Sequence, residues 1–434
     1  MPKLLISVSI LHVLIIGNGA AGNSVALTIK RLNKGAKVTI VSDEPIPEYA
    51  TCALPDYISN KIDRQNLFLK GIDDYCKEGV DVLLGKEAIE IDAKSKLVTL
   101  RDEELEYDKL VLATGSKPII PRIEGVDKEG VFTFKTFGDA DTIANHWGRR
   151  AVIIGAGPVG VEVAISLKKR GYEVFLIELM DQILPKRLDE KPSKILRKML
   201  ERHRIRVLTK ERVTRILGHN YVEGVTTEGR EIKCDTVVIA VGMRPNINLS
   251  KKAGVKIGEL GGVVVDEHMA TNLEDVYACG DCVEPVDIIT QKRTLSLLWR
   301  NAVIQGRTAG FNCLGVHRYY DGSIDFNAID VFGTSVVSIG HSLLSFPRPS
   351  ELEIIESEHE DRYYRLIVCD ERIVGAQSIG GGSEAGVIFA SIWKRDSIKR
   401  IKRALDDRAL LLSRSWYMNM KPYLWGKKLS PASR

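Results

Sequence analysis

The chain has 434 residues, 44% hydrophobic and 27% charged, with a formal net charge of +5. These values suit a folded protein of two or three domains at roughly 100–200 residues each, and exclude a disordered, collagen-like or coiled-coil chain. Seven cysteines (Cys52, Cys76, Cys234, Cys279, Cys282, Cys313 and Cys369) are an odd number without framework spacing, which agrees with a reducing compartment. No set of His and Cys has zinc spacing, so no metal is expected.

The apolar stretch over residues 4–16 is interrupted by Ser7, Ser9 and His12 and is too short to span a bilayer. Lys3 ahead of it makes a signal peptide the competing reading. No small-residue cleavage site follows, however, and cutting there would destroy the motif described next. The expected location is cytoplasmic, without membrane association, and residues 1–11 read as a dispensable extension.

His12–Ile16 is an apolar, β-branched run expected to form a strand, and it leads into Gly17-Asn18-Gly19-Ala20-Ala21-Gly22. A helix is expected over residues 23–32 and a second strand over 37–41. The pattern recurs. Residues 151–154 form an apolar run before Gly155-Ala156-Gly157-Pro158-Val159-Gly160; a helix through Lys169 and a strand over 173–177 follow, and the strand ends in Glu178. At these spacings the first glycine allows a tight turn, the second lets the backbone approach a pyrophosphate, and the third lets helix and strand pack closely. The helix N-terminus then offers unpaired N–H groups and its positive dipole end to the phosphates. One such motif alone could be a bare turn. Two copies, each between a strand and a helix, point to two dinucleotides, and the natural pairing is a flavin with a nicotinamide.

Glu178 stands where a carboxylate accepts the ribose 2′-OH and repels a 2′-phosphate, which favours NADH over NADPH. In the first copy Ser42 occupies that position, so Asp43 is the expected ribose contact, with Glu44 close behind. Surface carboxylates in a turn ahead of Pro45 are the alternative for both. Residues 296–310 read as a further helix. Residues 394–434 hold twelve Lys/Arg against three Asp/Glu, read as a solvated basic tail or as a docking face for an acidic partner. No aromatic-and-basic pattern argues for nucleic acid.

The sequence resembles the FAD-dependent pyridine nucleotide-disulfide oxidoreductases. Three further motifs carry the resemblance: Tyr107 to Ser116 with Ala113-Thr114-Gly115, Asp235 to Asn246 with Gly242, and Thr271 to Asp281 with Gly280-Asp281. The resemblance implies that the first two close the FAD and NAD domains, that Asp281 hydrogen-bonds the flavin's ribityl chain, and that Glu162 lies near the nicotinamide and flavin rings. It implies an α/β fold of two Rossmann-like, three-layer ββα dinucleotide-binding domains with a C-terminal α+β interface domain. The expected boundaries are 1–122 and 250–318 for FAD, 123–249 for NAD(P)H, and 319–434 for the interface region of a homodimer.

Cys52, in Thr51-Cys52-Ala53-Leu54-Pro55, separates branches of the family. Tyr57 stands five positions after it, so the paired-cysteine disulfide of glutathione-reductase-like members cannot form. A lone cysteine before Ala-Leu-Pro resembles the CoA-disulfide reductase and NADH oxidase branch, in which it cycles through a mixed disulfide or a sulfenic acid. Pro55 suits a first helical turn, so Cys52 would lie just ahead of a helix N-terminus, where thiolate is favoured. A buried, inert cysteine is the alternative. Cys279 and Cys282 overlap the flavin motif and read as structural. The expected acceptor is a small disulfide, oxygen or peroxide. Segments such as Trp299 to Arg307 are closer to nitrite- and rubredoxin-reductase flavoproteins, which keeps a redox-protein partner open. A low-turnover flavin redox sensor is the third reading.

Overall fold

A computed structural model describes residues 10–359, 362–382 and 384–399; the far N-terminal extension and nearly all of the basic tail lie outside the described residues. The chain forms two compact units, one made of Met1–Ala50, Phe68–Lys117 and Met243–Ser323, the other of Thr51–Leu67, Pro118–Gly242 and Ile324–Arg434.

The first unit is built on a five-stranded parallel sheet in the order Val276–Ala278, Lys109–Leu112, His12–Ile16, Lys37–Ser42, Asp81–Leu84. Its central strand, His12–Ile16, has four of five residues buried, as a strand covered on both faces requires. A three-stranded antiparallel sheet (Ala88–Asp92, Leu97–Leu100, Glu104–Glu106) contributes Ile91, Val98 and Leu100 to the same core. The helices Ala20–Leu32 and Trp299–Cys313 pack against each other, and glycine makes this possible. A Cβ on Gly306 would lie 2.3 Å from the Ala21 carbonyl oxygen.

The second unit repeats this plan. Its parallel sheet runs Ile205–Thr209, Glu173–Glu178, Arg150–Ile154, Thr236–Ile239, Val131–Thr133, and an antiparallel sheet (Val213–Leu217, Gly224–Thr227, Glu231–Lys233) shares its core. The unit also holds a five-stranded antiparallel sheet in the order Phe326–Val331, Thr334–Gly340, Arg372–Ile379, Arg362–Cys369, Glu353–His359, packed by the helix Ala385–Lys394. The α/β class with two ββα layers and a C-terminal α+β part is therefore the observed fold.

Three details differ from the sequence expectations. The first nucleotide helix begins at Ala20, capped by the extended Gly19, because Ala20 and Ala21 are strong helix formers and Gly22 costs only about 1 kcal/mol. The later helix spans Trp299–Cys313, shifted three residues towards the C-terminus from the expected 296–310. Residues 51–67 group with the second unit, through Tyr57 Oη donating to Asp141 Oδ1 at 2.6 Å and Ser166 Oγ donating to the Pro55 carbonyl at 2.8 Å. No helix among the described residues is long and apolar enough to cross a membrane.

Candidate nucleotide sites and the Cys52 turn

In the first loop each glycine meets a different demand. Gly17 has φ +120°, and a Cβ there would fall 2.1 Å from the Ala113 carbonyl oxygen. A Cβ on Gly22 would lie 2.0 Å from the Gly17 oxygen, so this glycine sets the distance between loop and helix. Gly19, by contrast, has nothing within 4 Å of its Cβ position. The first helical bond runs from the Asn23 amide to the Gly19 carbonyl, leaving the amides of Ala20, Ala21 and Gly22 outside the helical ladder. An open cradle fringed by unused amides fits a diphosphate.

A cleft of ≈ 360 Å³ opens beside this loop, with Gly17, Ser42, Asp43, Thr114 and Asn246 in its wall. The two candidate ribose carboxylates part company here. Asp43 lines the cleft, whereas the Glu44 carboxylate accepts a hydrogen bond from Tyr49 Oη at 2.9 Å. The turn Ala113-Thr114-Gly115 is tied to the second crossover: Thr114 Oγ1 donates to the Asn246 carbonyl at 2.7 Å, and the Asn246 amide to the Gly115 carbonyl at 2.9 Å. Gly280 (φ +85°) donates its amide to Gln305 Oε1 at 2.8 Å and packs on Ala21, while the Asp281 carboxylate accepts from Ser116 Oγ at 2.7 Å. Five sequence-distant segments thus converge on one cleft and loop. Gln305, Ser116 and Asn246 were not among the expected contacts. Only the quoted motifs around Ser116 and Asn246 gave a hint, and Gln305 had no local signal. Cys279 and Cys282 are fully buried, and burial pushes both thiols up, so both remain protonated structural groups.

The second loop has the same geometry. Gly155 has φ +104° with a Cβ position 2.4 Å from the Ala240 oxygen, and a Cβ on Gly160 would fall 1.9 Å from the Gly155 oxygen. Gly157 caps the helix Pro158–Lys169 with its Cβ side open. Pro158 starts that helix without an N–H to leave unsatisfied, Val159 follows in the first turn, and the Val161 amide closes on the Gly157 carbonyl at 3.0 Å. Glu178 is buried at the end of its strand. Its Oε2 accepts the Ala156 amide at 2.7 Å and its Oε1 the Met180 amide at 2.9 Å. An ionised carboxylate has about four lone-pair sites, so acceptor capacity remains. Gly242, at φ +122°, accepts from the Ile119 amide at 2.9 Å, and the preceding Ala240 and Val241 lie against Gly155.

Cys52 is exposed in a 3₁₀ turn, Thr51–Ala53, immediately before the short helix Leu54–Ile58 with Pro55 in its first turn. That helix packs on Pro158–Lys169, which carries Glu162. Although the residue is partly exposed, the Glu162 carboxyl is enclosed, and burial pushes its pKa up to about 7, with repulsion from Asp56 adding to the rise. The unfolded chain releases this proton near the ordinary value of 4.5, and the folded chain holds it until about 7. Stability contributed by the neutral form is therefore complete below the lower value and lost as pH rises through the upper one. Glu162→Gln is expected to remove this loss, so its advantage over the parent in thermal melts should grow from pH 5 to pH 8. An advantage independent of pH would contradict the argument.

Comparisons with known proteins agree with this geometry. The Pyridine nucleotide-disulphide oxidoreductase family model matches residues 11–306. The chain is 33% identical over 419 residues to an NADH oxidase of Methanocaldococcus jannaschii, covering 90% of this chain and 93% of that protein. It is 36% identical over 331 residues to a CoA-dependent NAD(P)H sulfur oxidoreductase of Pyrococcus furiosus, covering 75% and 73% of the two chains. Among solved structures, an NAD-dependent persulfide reductase from A. fulgidus superposes with a TM-score of 0.85 at 33% identity, covering 90% of this chain and 78% of that one. The chain belongs to the pyridine nucleotide-disulphide oxidoreductases, as an FAD-dependent oxidoreductase that uses a pyridine nucleotide and stands with their single-cysteine CoA-disulfide reductase and NADH oxidase branch.

Proposed function

We propose that this enzyme takes a hydride from NADH and delivers two electrons, by way of Cys52, to a small disulfide such as CoA disulfide, with oxygen or peroxide as competing small acceptors. One observation carries the reading: an exposed Cys52 in a turn before a proline-led helix, in a chain with two intact nucleotide loops and Tyr57 in place of a second cysteine.

In this reading the first loop and its cleft hold FAD, with Gly17, Gly19, Ala20, Ala21 and Gly22 at the diphosphate and Asp43 at the adenosine ribose. Ala113, Thr114, Gly115, Gly280 and Asp281 close over the remainder. When bound, FAD supplies the hydride acceptance that no side chain here offers. Gly155, Gly157, Pro158, Val159 and Gly160 receive the NADH diphosphate, and Glu178 its ribose. The Cys52 thiolate attacks one sulfur of the disulfide RS–SR, forming Cys52–S–SR and expelling RS⁻. Two electrons from NADH reopen that bond, releasing the second RS⁻ and restoring Cys52. The sum is NADH, one proton and RSSR giving NAD⁺ and two RSH. The C-terminal sheet and helix are the proposed contact between two copies in a homodimer, and a reducing, cytoplasmic setting suits the thiol chemistry.

The test is an anaerobic NADH titration of the purified protein, following the visible flavin spectrum. Uptake of about four electrons per FAD with a thiolate-to-flavin charge-transfer band supports Cys52 as a second redox centre. Uptake of about two electrons without that band sinks the Cys52 step and turns the search to a redox-protein acceptor.

The preference for NADH rests on Glu178. Because its carboxylate also receives two backbone amides, Glu178→Ala would loosen the loop as well as remove charge. Glu178→Gln keeps an oxygen acceptor and removes the charge that repels a 2′-phosphate. We expect its kcat/KM ratio for NADH over NADPH to fall about tenfold, the equivalent of ~1.4 kcal/mol. An unchanged ratio would remove Glu178 as the determinant.

A further inference from the structure

The two glycine loops are anchored by different chemistry. In the second, the middle residue Ala156 is held by the Glu178 carboxylate. In the first, the strand ends in Ser42, and the middle residue Asn18 is held through its own side chain. Asn18 Oδ1 accepts from Tyr75 Oη at 2.8 Å and from Asn23 Nδ2 at 2.9 Å. Asn23 Nδ2 also reaches the carbonyls of Asn18 at 2.8 Å and Gly19 at 3.2 Å, so it closes the loop from behind. Tyr75 Oη in turn accepts from the Glu48 amide at 3.0 Å.

A cation completes the cluster. Lys70 Nζ donates to Asn23 Oδ1 at 3.3 Å and to Glu78 at 2.7 Å, and lies 5.0 Å from the centre of the Tyr75 ring. Tyr75, Asn23 and Glu48 are 0%, 2% and 7% exposed, and the Lys70 side chain 11%. Burial pushes the Glu48 carboxyl up to about 7, against the pull of Lys70 and with the repulsion of Glu78. The Glu78 carboxylate balances the Lys70 charge, so the ion pair fixes the ammonium against the Asn23 amide oxygen. Placing an ammonium here is unfavourable unless something compensates, and an apolar side chain would fill the same space.

We propose that Lys70, ion-paired with Glu78 and seated on Asn23 and Tyr75, is a positioning residue for the diphosphate of the first nucleotide: the pair holds the Asn23 side chain, which locks Asn18 and Gly19 in the open-amide conformation. This rests on the reading that the first unit holds FAD.

The experiment follows FAD release from purified holoenzyme by the rise of flavin fluorescence after dilution, at about 0.1 and 0.5 M salt, where charge interactions differ in screening. Lys70→Met is expected to release FAD at least about tenfold faster, with a flattened salt dependence, and Lys70→Arg to restore both. Tyr75→Phe, which removes one hydroxyl, is expected to release FAD faster while keeping the parental salt dependence. Calorimetric binding of ADP-ribose to the second loop should be unchanged in all variants, which separates the effect from general unfolding. Parental release from Lys70→Met, or faster release with the salt dependence intact, overturns the proposal. If Lys70→Met does not fold, parental release from Tyr75→Phe overturns it. A parent protein that carries no flavin at all would overturn the FAD reading itself, and Lys70's role with it.

Discussion

Gly160→Ala is expected to abolish NADH-dependent turnover while FAD remains bound. The new methyl carbon would sit 1.9 Å from the Gly155 carbonyl oxygen, a backbone atom that cannot rotate away. Gly155 has no room to yield, because its own Cβ position is 2.4 Å from the Ala240 oxygen and its φ of +104° is a glycine conformation. Relief requires the helix Pro158–Lys169 to shift by an ångström or more, which withdraws its first-turn amides from the phosphates. Overpacking of this kind costs about 3 kcal/mol or more, which corresponds to ~100-fold in affinity. The check is the dissociation constant for NADH together with the FAD content of the purified protein. Gly157→Ala is the contrast for folding, since nothing of the protein lies within 4 Å of that Cβ position and its φ of −71° suits any residue; its methyl would weaken NADH binding only by entering the open side that the diphosphate approaches. An NADH affinity near the parental value in Gly160→Ala would mean that this loop is not the NADH site.

Cys52→Ser should cost about 100-fold or more in disulfide reduction and leave NADH-to-dye activity within about twofold of the parent. Serine is nearly isosteric, and Cys52 is exposed in its turn, so folding is not at stake. A hydroxyl cannot replace a thiolate as the group that attacks sulfur, because its proton is held too tightly at neutral pH. Steady-state rates with CoA disulfide and with an artificial dye separate the two half-reactions. Equal loss with both acceptors would indicate that Cys52 matters to the nucleotide sites. Full retention with both would remove it from the chemistry and favour a redox protein as the acceptor.

Much of the loop geometry was legible because its glycine spacing is local. Gly17, Gly19 and Gly22, and their counterparts Gly155, Gly157 and Gly160, follow one spacing within six consecutive residues, although Gly17 and Gly155 also make room for the distant Ala113 and Ala240 carbonyls, and the apolar runs before them belong to buried strands. The position of Glu178 was readable for the same reason, as the residue that ends the strand after the second glycine loop. The turn before Pro55 was readable too, since proline in a first helical turn fixes where the helix starts.

What stayed hidden depends on partners far away in the chain. Asp43 and Glu44 are adjacent and equally acidic, and only the position of Tyr49 decides that Glu44 is engaged and Asp43 lines the cleft. Gln305 looked like an ordinary helix residue until Gly280 was seen to donate to it. The grouping of residues 51–67 with the second unit rests on Tyr57–Asp141 and Ser166–Pro55, pairs separated by 84 and 111 positions. The cluster of Asn18, Glu48, Lys70 and Tyr75 likewise joins three stretches that share no pattern. The sequence by itself therefore determined the fold class, the two dinucleotide loops and the branch marked by a single cysteine, because each is a demand on neighbouring backbone. Only the tertiary structure decided which carboxylate faces the cleft, which side chains brace each loop and where the Cys52 turn is packed, because buried polar groups take whichever partners packing brings within hydrogen-bond reach.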